Sequence, residues 1–137
     1  MNQHIAHIAL LVRDYDEAIE FYVKKLHFKL VEDTLLSETK RWVLVAPPGS
    51  NGCKLLLAKA VGSEQLAQVG RQSGGRVFLF LHTDNFHRDY ENLIKHNVNI
   101  VRPPSTETYG TVAVFSDLYG NLWDLIEQST SAQNNRI

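Results

Sequence analysis

Apolar positions fall in short runs separated by polar or turn-forming stretches, and the period of each run decides its reading. Ile5 to Val12 (IAHIALLV) is aliphatic on both faces and too short for a typical helix, which predicts a well-buried strand. Asp14 then opens a helix. Its carboxylate suits the orphan N–H groups of the first turn, and Glu17 stands three residues on, as in a capping box. Tyr15, Ile19, Tyr22 and Leu26 recur at helical spacing as one apolar stripe, with Asp16, Glu20 and Lys24 opposite. Strands are predicted over Phe28 to Val31, Arg41 to Ala46 and Lys54 to Ala58. Pro47 to Gly52 (PPGSNG) reads as a turn, because proline fixes φ while Gly and Asn tolerate positive values.

From Val61 to Arg76 the chain turns to Gly, Gln and Ser, a connector with a helical turn over Glu64 to Val69 and a joint at Ser73-Gly74-Gly75. The opening pattern then begins again. Val77 to Leu81 (VFLFL) predicts a strand, Asp84 or Asn85 caps a helix, and Phe86, Tyr90 and Leu93 form its stripe. Val98 to Val101, Thr111 to Phe115 and Leu122 to Ile126 complete the strands. His7 and Val77, Asp14 and Asp84, Leu26 and His96, and Val31 and Val101 are each offset by 70 residues, so strand, cap, helix and strand recur in order. Each half reads β-α-β-β-β.

The chain has 137 residues, which suits one domain: a first module over about 5–60, a connector over 61–76, a second module over about 77–128 and a flexible tail over 129–137. Fourteen Lys and Arg against 15 Asp and Glu argue against a nucleic-acid partner, which favours a basic excess. The longest apolar runs, Ile8 to Val12 among them, fall far short of the roughly 20 residues that span a bilayer, so no membrane association is expected. No basic-then-apolar leader precedes a small-residue cleavage site. Cys53 stands alone, which excludes an internal disulfide and fits a reducing cytoplasm; it is read as a small buried hydrophobe. Gly74-Gly75 lacks the spacing and lysine of a phosphate loop.

HIALLVRDYDEAIEFY at His7 to Tyr22 and YGTVAVFSDLYGNLWDLIE at Tyr109 to Glu127 resemble the vicinal oxygen chelate superfamily, the glyoxalase/bleomycin resistance/dioxygenase group. The second segment is similar to the family's closing turn, with Asp117, Gly120 and Asn121 in place and Leu118 where the family has proline. The resemblance implies an α+β fold, two βαβββ modules in tandem forming a cupped, open eight-stranded barrel-like sheet, with a small molecule in the cavity between them. It also implies a homodimer. Metal-dependent members supply one ligand from the first and fourth strand of each half. Those positions fall on His7, near Leu55 or Leu56, on Val77 and on Asp124, so two of the four carry a donor.

His7 shares its strand face with Ile5, Ala9 and Leu11, and reads either as a silent imidazole on a cavity wall or as a ligand-contacting or metal-binding one. Asp124 shares a face with Leu122 and Ile126. A carboxylate buried among aliphatics without a partner costs several kcal/mol or protonates, so it requires an arginine such as Arg41 or Arg76, or a polar role in a cavity. His7 and Asp124 are thus the candidate catalytic residues and the candidate ligands of a divalent metal. Glu107 and Tyr109, in the Pro- and Thr-rich stretch read as a loop over Pro103 to Thr108, are candidate substrate contacts together with Val77. Trp42 and Trp123 are read as core or subunit-interface residues.

Two functions follow from the resemblance. One is a metal-dependent lyase or dioxygenase, in which the cation chelates vicinal substrate oxygens. The other is a metal-independent protein that sequesters a drug or metabolite, as the bleomycin-resistance members do; the aliphatic Val77, Leu55 and Leu56 favour it by making the cavity drier.

Overall fold

A side-chain amide closes the outer edge of the first strand. Gln72 accepts from the Leu11 amide through Oε1 at 2.7 Å and donates through Nε2 to the Ala9 carbonyl at 3.1 Å, so it pairs with the backbone as a neighbouring strand would. That strand, β1 (His7–Val12), starts two residues later than the apolar run; Ile5 lies before it and is exposed.

The computed structural model describes residues 1–130. It shows an α+β chain of two tandem modules. After β1 come α1 (Tyr15–Ile19), β2 (Lys29–Leu35), β3 (Arg41–Ala46), β4 (Lys54–Lys59) and α2 (Gly62–Gln68). The second module contains β5 (Val77–His82), α3 (Phe86–Lys95), β6 (Asn99–Glu107), β7 (Gly110–Ser116) and β8 (Leu122–Gln128). Two four-stranded sheets result, ordered β1-β4-β3-β2 and β5-β8-β7-β6, the same order at equivalent positions. The chain divides into compact units at Gln72 and Ser73, inside the predicted connector. The expected tail lies outside the described residues from 131 onward; before it, Ser129 is bonded to the Tyr109 and Thr108 carbonyls.

In the first unit, the Asp14 carboxylate accepts from Glu17 N at 3.0 Å, which caps α1 as its sequence predicts. The helix then widens into a π-helical stretch, Glu20–Lys25, where Leu26 N donates to Phe21 O. The extra residue per turn rotates the buried stripe. Phe21 and Tyr22 both point inward while Ile19 is only half-buried, a departure from the stripe that regular spacing predicts. Tyr22, fully buried, meets Phe21 and Phe28 at ring-centroid distances of 5.1 and 5.6 Å. Leu10, Val12, Val43, Val45 and Leu57, all at 0% exposure, form the rest of this core.

In the second unit, Asn85 rather than Asp84 is the cap, accepting from Arg88 N at 3.1 Å. Trp123 stacks on Phe115 in the core, 5.9 Å between centroids, as expected. His27 and Asn97 both take positive φ (61° and 56°) where a helix gives way to a strand, again 70 residues apart, so the repeat extends to the backbone conformation. One loop prediction is overturned. Pro103 to Thr106 lie within β6, an edge strand whose ladder skips from Arg102 to Ser105 across the two prolines. Proline lacks the N–H for a central ladder, but at a bulged edge that donor is not needed. Cys53 is also exposed, at the end of the β3–β4 turn where no sheet covers it.

Candidate functional site

Alternation along β1 sends Leu10 and Val12 into the helix-covered core and leaves His7, Ala9 and Leu11 on the opposite, open face. Parallel pairing sets Lys54 opposite His7, Leu56 opposite Ala9 and Ala58 opposite Leu11. Trp42 of β3 reaches the same face: its indole meets the His7 imidazole edge-on at 5.6 Å. Trp42 is therefore half-buried on an open sheet face and not in the core, unlike Trp123.

Beside Trp42 the sheet opens. Among the described residues, β3 and β4 pair only at Leu44 with Leu56 and Val45 with Leu55, whereas the equivalent strands β7 and β8 pair at seven positions. Toward Trp42 and Ala58 the strands of the first unit part, and a cavity of about 680 Å³ lies there, within the usual range for a small-molecule site. Trp42, Leu56, Leu57 and Ala58 give it an apolar wall, and Tyr15, Thr39 and Gln65 add polar groups. The turn into β3 is held firmly. Leu36 N donates to Lys40 O at 2.8 Å, Ser37 Oγ accepts from Lys40 N at 3.1 Å, and Arg41 N donates to Tyr15 Oη at 3.2 Å.

Arg41 is committed to structure. Its Nε and Nη2 engage the Asp33 carboxylate at 3.1 and 2.7 Å, Nη1 reaches Asp16 at 2.9 Å, and the guanidinium sits 5.1 Å from the Tyr15 ring centre. The hydrogen bonds to Asp33 and then Asp16 raise its pKa further. Arg41 therefore does not serve Asp124, one of the partners that its sequence setting suggested.

In the second unit, Asp124 lies on the open face of β8 with Phe80 beside it on β5, Val114 on β7 and Arg102 beyond on β6. Phe80 is 60% exposed. Burial raises the Asp124 pKa above the ordinary carboxylate value, and the Arg102 charge partly offsets this. No ion pair or hydrogen bond reaches Asp124 among the described residues. Val77 opens β5 opposite Leu122. Glu107 ends β6, accepting from Ser105 Oγ, and Tyr109, 44% exposed, occupies the tip of the β6–β7 hairpin.

The sheet faces carry little that suits a divalent cation. Lys54 stands opposite His7, Arg102 acts on Asp124, and among the described residues no three His, Cys, Asp or Glu side chains group as a metal site requires. The cavity itself is lined by none of these four residue types. The donor set does not fit the metal that the resemblance implies. The cavity has no signature in the sequence, since no local motif tells where the β3–β4 ladder stops.

Comparison with known proteins agrees with the fold. A family model described as the Glyoxalase/Bleomycin resistance protein/Dioxygenase superfamily matches residues 4–125. An uncharacterized protein of Shewanella frigidimarina (strain NCIMB 400) is 62% identical over 128 residues, covering 93% of this chain and 95% of its own. Among solved structures, UcmS2 superposes with a TM-score of 0.81 at 30% identity, covering 93% of this chain and 100% of its own. TnmS3, an antibiotic binding protein from Streptomyces sp. CB03234, gives 0.75 at 28% identity, covering 93% and 98%.

Proposed function

Because the chain belongs to the Glyoxalase/Bleomycin resistance protein/Dioxygenase superfamily, we propose that it binds and sequesters a small amphipathic molecule in the first unit without a metal ion. The observation that carries this reading is the cavity beside Trp42: about 680 Å³, walled by aromatic and aliphatic side chains, and lined by no His, Cys, Asp or Glu. Such a lining desolvates an apolar ligand body but offers no set of donors for a Lewis-acid cation. The likeness to TnmS3, described as an antibiotic binding protein, supports binding over turnover.

The test is occlusion. Phenylnaphthylamine, a neutral aromatic dye that brightens in apolar surroundings, is titrated into wild-type protein and into Ala58→Trp, which fills the half-buried wall position. Thr39→Trp on the exposed turn blocks the same cavity from the other side and guards against a folding defect in the first variant. Saturable binding to wild type, lost in both variants with unchanged circular dichroism, is expected. Equal binding to all three proteins would place the dye elsewhere and overturn the proposal.

A further inference from the structure

We infer that the cavity selects an anionic ligand, an aromatic or aliphatic body bearing a carboxylate or sulfonate, with Lys40 and Lys59 holding the charge. The inference rests on the binding reading above and specifies its substrate class. The chain as a whole is nearly neutral, at −1, yet the cavity lining contains Lys40, Arg41 and Lys59 and no carboxylate. Arg41 is already engaged by Asp33 and Asp16 and adds no free charge. These two carboxylates are absent from the lining, and Asp16, whose side chain is 78% exposed, is screened by water. Glu38, in the same turn as Lys40, is also absent from the lining.

The two lysines are different. Among the described residues neither has an ion-pair partner, and both are exposed. They flank the opening from its two sides: Lys40 immediately precedes β3, and Lys59 ends β4, the two strands that part there. The backbone of Lys40 is fixed, since its N–H donates to Ser37 Oγ and its carbonyl accepts from Leu36 and Ser37. A ligand seated in the parting between β3 and β4, against Trp42 and Leu56, thus meets Lys40 where β3 begins, while Lys59, registered with Val12, borders the same gap from the other face of the sheet. Flexible stems let each ammonium turn toward an anionic group held in the gap. A cation in the same place would meet two like charges and no compensating carboxylate.

Two dyes with the same aromatic skeleton test this, anilinonaphthalene sulfonate and the uncharged phenylnaphthylamine. Wild-type protein is expected to prefer the sulfonate at low ionic strength and to lose that preference in high salt. Lys40→Gln and Lys59→Gln should each weaken sulfonate binding about threefold to fivefold, and the double variant about tenfold, as expected for exposed charge pairs. Phenylnaphthylamine, which carries no charge, should lose markedly less affinity than the sulfonate in each of the three variants. Equal wild-type affinity for the two dyes, or a preference that survives in the double variant, would overturn the charge assignment and leave the binding reading intact. Binding of neither dye would overturn both.

Discussion

The His7 imidazole stands edge-on to the Trp42 indole, with ring centroids 5.6 Å apart and planes at 83°. The contact joins β1 to β3 across the open face of the first sheet and holds one side of Trp42, whose other neighbours line the cavity. If the cavity binds a ligand as proposed, His7 acts on it through Trp42. His7→Ala should weaken phenylnaphthylamine binding by about twofold to fivefold, and Trp42→Ala by tenfold or more, the scale of one edge-to-face contact against the aromatic wall itself. Fluorescence titration at neutral pH measures both. A larger loss in His7→Ala than in Trp42→Ala would contradict this order.

Arg41 fastens the start of β3 to β2 and α1 at the edge of the same cavity. Arg41→Met leaves the Asp33 carboxylate, itself only partly exposed, without its bidentate partner, and should cost about 1 to 2 kcal/mol in urea denaturation. Asp33→Asn should cost about as much. The double variant should fall short of the sum, because each change removes the same pair.

Asp117 organises the β7–β8 turn. Its Oδ1 accepts from Tyr119 N and Asn121 N, both at 2.9 Å, and its Oδ2 accepts from Asn121 Nδ2 at 2.8 Å. All of this is buried at Asp117 and Asn121. Asp117→Ala strands three donors and should destabilise the fold by about 3 kcal/mol or more. Leu118→Pro, which restores the residue of the family turn at a position 37% exposed, should be tolerated.

Asp124 should impose a pH dependence of a defined sign. Its folded-state pKa lies above the unfolded value, so the native state holds its proton longer and stability falls as pH rises through the interval from about 3.9 to the raised value. Asp124→Asn removes that loss. The variant should be at least as stable as wild type at neutral pH, with the difference shrinking as pH drops below the interval. Thermal melts across pH 3 to 8 check this, and a variant less stable at neutral pH would show that the carboxylate has a stabilising partner.

Much of the fold was legible because its signals are local. The Asp14 cap, the paired apolar runs and the 70-residue offset need no knowledge of neighbours. What escaped depends on context. Phe21 joins Tyr22 in the core because a π-helical stretch rotates the stripe, and regular helical spacing gives no sign of that stretch. Pro103 and Pro104 are acceptable in β6 only because that strand is an edge. Family positions directed attention to His7 and Asp124, and the first does face the open sheet beside Trp42. Nothing local in the sequence sets Lys40 and Lys59 apart; it is the early end of the β3–β4 ladder that puts both at a cavity.

The most direct test of the central claim is phenylnaphthylamine titration of one preparation in three states: as purified, after exhaustive EDTA dialysis, and with Mn²⁺ or Zn²⁺ restored. One dissociation constant is expected throughout, with binding abolished by Ala58→Trp. Binding that vanishes on chelation and returns with metal would contradict it.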